Sequence, residues 1–277
     1  MASWCWSHSV KVPAIFRMLI VIVLLAATAS SPATCSGRDT EREFEGGEAY
    51  RTGEGMYWVL SLRGAWRQMG RQYGGLVGDE LRQFYTEITA DAAARGIDLD
   101  AQLENARLWA GELSLELNEL MRGIAETSGL SEDGVLVLNA GIGVLSYVLL
   151  EGEPPSACSA LATWGRCTPD GTLVIGRNWD IDRDGLQRYM KYLSVVAFNP
   201  DSGYGFANLH PLGNVYVETG MNEMGVFIEL NNGAYSDPEC VEGLEDTPSV
   251  MATALNRCGS AHEAAEYLAE VPANLSY

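Results

Sequence analysis

The sequence predicts an α+β fold, in which a helical segment is followed by antiparallel hairpins and then by further helices. Residues 66–150 repeat apolar side chains at helical spacing, whereas residues 158–231 form short strand-like runs separated by turn residues. Residues 249–258 and 261–270 return to helical spacing. Helices and strands that are segregated along a chain in this way are typical of a sheet packed by helices.

The first residues, 1–29, are predicted to be a secretory signal peptide rather than part of the fold. Lys11 and Arg17 precede an uncharged run, residues 18–29, that ends in small side chains. An uncleaved membrane anchor is the alternative, but the run is shorter than the ~20 residues that a helix needs to cross a bilayer. The sequence therefore predicts a secreted or periplasmic protein.

Residues 30–55 are polar and rich in glycine, and this composition predicts a flexible linker. Cys35 lies in this segment. A lipid anchor at Cys35 would make the protein a lipoprotein, although residues 32–35 match a lipidation site poorly.

Residues 56–157 are predicted to form a helical pro-region. It begins with weak alternation at residues 57–62, which predicts a short strand. Helical periodicity then predicts one helix that starts near Trp66 and another that starts near Asp79.

Residues with capping chemistry divide the rest of the pro-region. Asp100 is expected to cap a long helix that continues through Ile124, and Gly129 is expected to end it. Ser131 is expected to cap a further helix that runs to Leu150, because a serine hydroxyl can accept from the first free N–H groups.

Residues 158–277 are predicted to form a strand-rich domain after a loop with two prolines, which cannot continue a helix. Residues 168–171, Thr-Pro-Asp-Gly, predict a turn between its first two strands. Strands are expected at residues 158–165, 172–179, 192–198, 215–218 and 226–231. The chain ends soon after its last proline, in what looks like the middle of a domain, so the sequence predicts a domain truncated at its C-terminus.

Charge limits the partners that this protein is expected to have. The formal net charge is −19, and loss of Lys11 and Arg17 with the signal peptide makes it two units more negative. A protein this acidic repels nucleic acid and anionic lipid surfaces. We expect a small-molecule substrate, no nucleic-acid partner and no membrane association beyond an anchor at Cys35; the oligomeric state is left open.

Several reaction chemistries lack their residues in this chain. No C-x-x-C, H-E-x-x-H or G-x-S-x-G pattern occurs. His210 is expected in a solvated loop beside Pro211. Three aspartates at 180, 182 and 184 are spaced as in a calcium loop, but no glutamate closes that loop. We therefore expect neither a cofactor nor a bound metal.

Cys158 is the candidate nucleophile. A small buried residue at the start of a strand is the simpler interpretation, since cysteine is often buried. If the Ala157–Cys158 peptide bond is cut, however, Cys158 gains an α-amino group with a reference pKa of about 8. That amine can accept the proton of its own thiol, so no histidine is needed. An asparagine at the end of a neighbouring strand would suit the oxyanion.

Six segments together resemble the penicillin acyltransferase and choloylglycine hydrolase families of N-terminal-nucleophile (Ntn) hydrolases. The nucleophile region is matched by Cys-Ser-Ala at 158–160, by the turn at 168–171 and by Gly-Arg-Asn-Trp-Asp at 176–180. A further match is Gly-Met-Asn-Glu-Met-Gly at 220–225, followed by a strand that ends in Asn231. Residues 63–74 and 119–125 are similar to the acyltransferase pro-region. The resemblance covers roughly residues 56–270.

The resemblance implies an αββα sandwich and a role for four residues. Cys158 corresponds to the nucleophile and, after processing, supplies the base through its amine. Asp180 corresponds to the aspartate that orients this amine, and Arg177 to the arginine beside the nucleophile. Asn231 corresponds to the asparagine that helps bind the oxyanion.

The chain also departs from the family pattern. Ala157 stands where autocleaved members often have glycine, and a late arginine of the family domain has no counterpart here. Simpler interpretations also exist for the other site residues. Arg177 and Asp180 would form a surface ion pair of little energetic value, and residues 231–233 would form a plain hairpin turn.

We therefore expect an autoprocessed cysteine amidohydrolase or acyltransferase that acts on linear, non-peptide amide bonds through a thioester. Water would resolve the thioester in a hydrolase, and an amine would resolve it in an acyltransferase. The alternative from another class is a non-catalytic secreted domain that keeps the scaffold without processing.

Overall fold

The computed structural model confirms the α+β class, with helices and strands in one compact unit that begins at Arg38. The predicted signal peptide, Cys35, Ala157 and Asp180 lie outside the part of the chain that the structure describes. The structure describes residues 39–52, 55, 57–149, 158–178, 187–231 and 247–271.

Nine strands form two sheets within the described ranges. The larger sheet has seven strands in the order β1-β2-β3-β6-β7-β8-β9, and β4 and β5 form a separate hairpin. Only β3 and β6 are parallel neighbours among these pairs, so the larger sheet is mixed. The strands are β1 (Asp39–Phe44), β2 (Gly47–Arg51), β3 (Trp58–Gly64), β4 (Ser159–Gly165), β5 (Gly171–Asn178), β6 (Leu193–Pro200), β7 (Phe206–Pro211), β8 (Thr219–Asn222) and β9 (Phe227–Glu229).

The predicted linker is wrong for β1 and β2, which form a hairpin at the edge of the larger sheet. Glu45 and Gly46 both have positive φ, at 46° and 83°, as the two-residue loop of a type I′ hairpin requires. The polar composition of residues 39–51 does not predict strands. These strands gain stability from contacts with residues of the helix that follows β3. Gln72 donates to the carbonyl of Glu45, and Arg42 pairs with Glu80 at 2.8 Å.

The first helix, α1 (Trp66–Ala94), spans both helices predicted near Trp66 and Asp79. Val77 has non-helical backbone angles (φ −130°, ψ 29°), so α1 is kinked two residues before the second predicted start. This helix packs across β1, β2, β3 and β6.

The single long helix predicted from Asp100 to Ile124 is two helices, α2 (Leu99–Glu112) and α3 (Leu115–Ser128). Asp98, not Asp100, caps α2, and its carboxylate accepts from the N–H groups of Asp100 and Ala101 at 3.1 Å. Leu113 is extended, and the Ser114 hydroxyl accepts from the Leu117 N–H, so a new helix begins there. The capping chemistry of Ser114 explains the break.

The remaining helices follow the prediction closely. Gly129 ends α3 in the left-handed conformation (φ 80°), and Ser131 accepts from the Gly134 N–H at the start of α4 (Glu132–Leu149). A short 3₁₀ helix (Gln187–Tyr192) leads into β6. Two helices, α5 (Thr247–Arg257) and α6 (Ala261–Glu270), close the described chain.

The larger sheet has a buried face and a partly exposed face. Along β3 and β6, alternate residues are buried, and these belong to the core that α1, α3 and α4 complete. The buried members are Trp58, Leu60, Leu62, Ser194, Val196 and Phe198. The opposite face still carries apolar side chains, such as Val59, Val195 and the 40% exposed Leu209.

Two local predictions in this sheet are wrong. Residues 215–218 were expected to form a strand, but the N–H of Val215 donates to the Asn139 side chain of α4 at 2.9 Å instead of to a strand. His210 was expected in a loop, but it lies in β7 and pairs with Ser194 of β6. Pro211 is compatible with β7 because it is the last residue of the strand, where a missing N–H costs little.

Candidate active site

The β4–β5 hairpin places Cys158 diagonally opposite Arg177. Ala160 pairs directly with Arg177, and Cys158 shares the face of Ala160 because side chains alternate along a strand. Diagonal neighbours in an antiparallel pair are within reach of a long side chain. Accordingly, Arg177 Nη2 donates to Cys158 Sγ at 3.2 Å.

The Arg177 guanidinium is held by three further groups, from β8, from β9 and from the residue that follows β9. Nη1 donates to Thr219 Oγ1 at 2.7 Å, and Nη2 donates to the carbonyl of Leu230 at 2.6 Å. Nε lies 3.8 Å from Glu229 Oε2. We call Cys158, Arg177, Thr219, Glu229 and Leu230 the Arg177 cluster.

Strand register explains why these groups converge. Thr219 and Glu229 are direct cross-strand partners in the β8–β9 pair, so their side chains stand together at the edge of the sheet. The side chain of Arg177 is 10% exposed and that of Glu229 is 17% exposed. A charge pair this deeply buried interacts more strongly than an exposed one, and its geometry is correspondingly constrained.

Asn231 lies next to this cluster and is exposed. Its Nδ2 donates to Glu229 Oε1 at 3.1 Å. The preceding residue is fixed on both sides, because the N–H of Leu230 donates to the carbonyl of Glu218 at 2.8 Å and its own carbonyl accepts from Arg177. The backbone that carries Asn231 is therefore tied to the guanidinium that contacts the thiol.

A second carboxylate, that of Glu218, lies near the Arg177 cluster and contacts His210 on the buried side of the sheet. His210 is 3% exposed, with Nδ1 at 2.7 Å from the Asn214 amide and Nε2 at 3.4 Å from Glu218 Oε2. Burial by itself would raise the pKa of Glu218, but the nearby His210 and the charge of Arg177 lower this pKa below its ordinary value. The carboxylate of Glu218 is thus held in its charged form.

The three cysteines within the described ranges are free thiols in different surroundings. Cys167 is exposed in the turn of the β4–β5 hairpin, and Cys258 is buried, where burial raises the pKa of its thiol. Cys158 is half-buried beside a guanidinium. Reactive cysteines typically lie in partly exposed surroundings beside positive charge, and their thiolate is the nucleophilic form.

The structure brings together three of the four residues singled out from the sequence. Cys158 and Arg177 are in contact, and Asn231 is joined to them through Glu229. An exposed ion pair does not fit Arg177, whose side chain is nearly buried. Asp180 lies outside the described residues.

Sequence reasoning missed Thr219, Glu229, Glu218 and His210. Glu218 and Glu229 each stand within an otherwise apolar run, Val-Tyr-Val-Glu and Phe-Ile-Glu-Leu. A carboxylate in such a run indicates a buried charge that needs a partner. That pattern could have identified both acids, but their partners, Arg177 for Glu229 and His210 for Glu218, come from other strands.

A scan against protein-family models finds no matching family, and a search of curated proteins finds no significantly similar sequence. Among the described residues, no helix combines the length and apolar character needed to cross a membrane.

Proposed function

We propose that this chain is a cysteine Ntn amidohydrolase or acyltransferase that is activated by cleavage of its Ala157–Cys158 bond. The contact between Arg177 Nη2 and Cys158 Sγ, at 3.2 Å, is the observation that carries the proposal. An arginine that is nearly buried, held by two neutral acceptors and aimed at a free thiol is suited to stabilise a thiolate.

The chemistry needs one residue to act as nucleophile and base. After cleavage, the α-amine of Cys158 takes the thiol proton, and the thiolate attacks the carbonyl carbon of an amide. The C–N bond then breaks, and the leaving nitrogen takes the proton from the ammonium group. The thioester is resolved by water, which gives an acid, or by an amine, which gives a new amide.

The oxyanion that forms during attack needs hydrogen-bond donors. Asn231 has two amide N–H groups, and its bond to Glu229 occupies one of them. In this proposal the second N–H donates to the oxyanion. A single donor of this kind typically contributes about 10²- to 10³-fold to kcat.

The proposal includes the αββα sandwich that the resemblance implies. The larger sheet supports it, because helices cover one face while the other face keeps apolar residues such as Val59 and Val195 at partly buried positions. Strands with apolar residues on both faces are typical of a sheet covered by two layers. The proposal also includes export, which rests on the pattern of residues 1–29.

The test compares two cysteines of the same hairpin in the full chain, produced in a secreting host. Wild type and Cys167→Ala are expected to yield a new chain that starts at Cys158 and to turn over N-acyl amides. Cys158→Ala is expected to do neither, because both steps need the sulfur. N-terminal sequencing and a product assay, run with and without an acceptor amine, measure the two outcomes.

Turnover by Cys158→Ala at the wild-type rate would exclude a cysteine mechanism. Turnover by protein in which the Ala157–Cys158 bond is intact would exclude activation by processing. An uncut and inactive wild type would favour the non-catalytic secreted domain.

A further inference from the structure

Among the described residues, the side chain of Glu229 contacts both Arg177 and Asn231, through different oxygens of one carboxylate. Oε1 accepts from Asn231 Nδ2 at 3.1 Å, and Oε2 lies 3.8 Å from Arg177 Nε. We propose that Glu229 is a positioning residue that fixes the Asn231 amide and the Arg177 guanidinium relative to the Cys158 thiol. The inference rests on the proposed function and adds a residue to it.

Burial raises the energetic cost of the charge on Glu229, so the position of an opposite charge matters. Within the described residues, neither Glu229 Oε2 nor Arg177 Nε has a hydrogen-bond partner, and both atoms are buried. A buried charge without hydrogen bonds is costly unless an opposite charge lies nearby. The charge of Arg177 therefore offsets part of the cost of burying Glu229 Oε2, and this attraction adds to the hydrogen bonds that join Arg177 of the hairpin to Thr219 and Leu230.

The two partners of Glu229 differ in how much they rely on it. Arg177 keeps its bonds to Thr219 and to the Leu230 carbonyl when Glu229 changes, so it stays beside the thiol. Asn231 is exposed, and its bond to Glu229 restrains its side chain. Loss of Glu229 should therefore free the oxyanion donor while the guanidinium remains in place.

Glu229→Gln separates these effects. A glutamine amide has one acceptor oxygen, so it cannot accept from Asn231 and face Arg177 with an oxygen at the same time. It also removes a negative charge near Cys158, and this removal favours the thiolate. Turnover should therefore fall even though the thiol becomes more reactive. Because unfolding would also expose the half-buried Cys158, the unfolding temperatures of Glu229→Gln and wild type are compared, and equal values exclude a general loss of structure.

Glu48→Gln is the matched control. Glu48 is also a strand glutamate paired with an arginine, Arg63, at 3.1 Å, but both side chains are about half exposed. Its substitution should leave both kinetics and thiol reactivity unchanged, because exposed ion pairs contribute little.

The experiment measures kcat, KM and the alkylation of Cys158 by iodoacetamide, with Cys167 of the same sample as the internal reference. For Glu229→Gln, kcat should fall at least about tenfold, with KM changed less than about threefold. The ratio of Cys158 to Cys167 alkylation should rise about threefold at constant pH. Asn231→Ala should reproduce the loss of kcat without the rise in alkylation, and Glu229→Gln added to it should cost less than about twofold more.

Wild-type kcat in Glu229→Gln, or an unchanged or lower alkylation ratio, would overturn the inference. If Glu229→Gln does not fold, wild-type kcat in Asn231→Ala overturns it equally. Failure of the proposed function has a different signature: an uncut wild-type chain without turnover. The alkylation ratio still decides in that case whether Glu229 acts on the thiol.

Discussion

The larger sheet and the β4–β5 hairpin both carry apolar residues but bury them very differently. In the sheet, Leu60 is fully buried. In the hairpin, Leu161 is 72% exposed and Trp164 is 64% exposed. Among the described residues, the Arg177 cluster joins the hairpin that presents the candidate nucleophile to the larger sheet, and its contacts are polar.

This difference in burial indicates that the candidate site is stabilised by hydrogen bonds rather than by apolar packing. A nucleophile in a packed core keeps its geometry through shape, whereas Cys158 depends on the hydrogen bonds of one guanidinium. Such bonds are directional, so they fix the position of the thiol without covering it. They are also sensitive to charge, which makes the geometry depend on the acids around Arg177.

The difference in packing between the larger sheet and the hairpin is tested by shortening one leucine in each. Leu60→Ala should cost about 2–5 kcal/mol of the free energy of unfolding, because it leaves a cavity in the core. Leu161→Ala, on a strand of the hairpin, should cost less than about 0.5 kcal/mol. Urea unfolding of both variants measures the difference. Equal losses would show that the hairpin is as well packed as the sheet.

The next prediction concerns the close packing of α1 against α3, the helices that cover the larger sheet. A Cβ on Gly123 of α3 would lie 2.2 Å from the carbonyl oxygen of Arg67 in α1, so Gly123→Ala should force the helices apart. The expected cost is about 1–3 kcal/mol, as is usual for overpacking. Gly111 of α2 is the control, since nothing lies within 4 Å of its added Cβ.

Gly111→Ala should change the free energy of unfolding by less than about 1 kcal/mol, in the stabilising direction, because alanine favours helix more than glycine does. Thermal unfolding of the two variants side by side measures both effects. A stable Gly123→Ala protein would mean that α1 and α3 do not approach as closely as the structure has them.

Local chemistry predicted most of the fold, and tertiary context explains the failures. Gly129 and Ser131 gave correct helix limits because capping depends on neighbours in the sequence. The polar composition of β1 and β2 predicts a linker, because their strand pairing and the support of α1 come from elsewhere in the chain. Residues 215–218 have strand composition, but the side chain of Asn139 competes for their backbone.

The candidate site divides in the same way. Cys158, Arg177 and Asn231 could be found because their motifs are local. The role of Glu229 could not be assigned, because its partner Arg177 lies on another sheet and meets it through the pairing of Thr219 with Glu229 in β8 and β9. Sequence identifies the reacting groups more readily than the groups that orient them.

The smallest predicted effect tests the buried charge behind the Arg177 cluster. The pKa of Glu218 lies below its ordinary value of 4.5, because His210 and Arg177 outweigh the opposing effect of burial. A lowered pKa in the folded state stabilises the fold at pH values above the ordinary one, and this stabilisation is lost as the pH falls through the lowered pKa. Glu218→Gln should therefore have a lower melting temperature than wild type at pH 7. The corresponding loss in the free energy of unfolding is on the order of 1 kcal/mol.

The difference between wild type and Glu218→Gln should shrink as the pH falls below about 4, since wild-type Glu218 then becomes neutral as well. Glu266→Gln is the control, because Glu266 forms the same kind of pair with His262 at 3.3 Å on the surface, with both side chains largely exposed. Glu266→Gln should have the same melting temperature as wild type at every pH tested. A Glu218→Gln deficit that does not vary with pH would assign the role of Glu218 to packing rather than to charge.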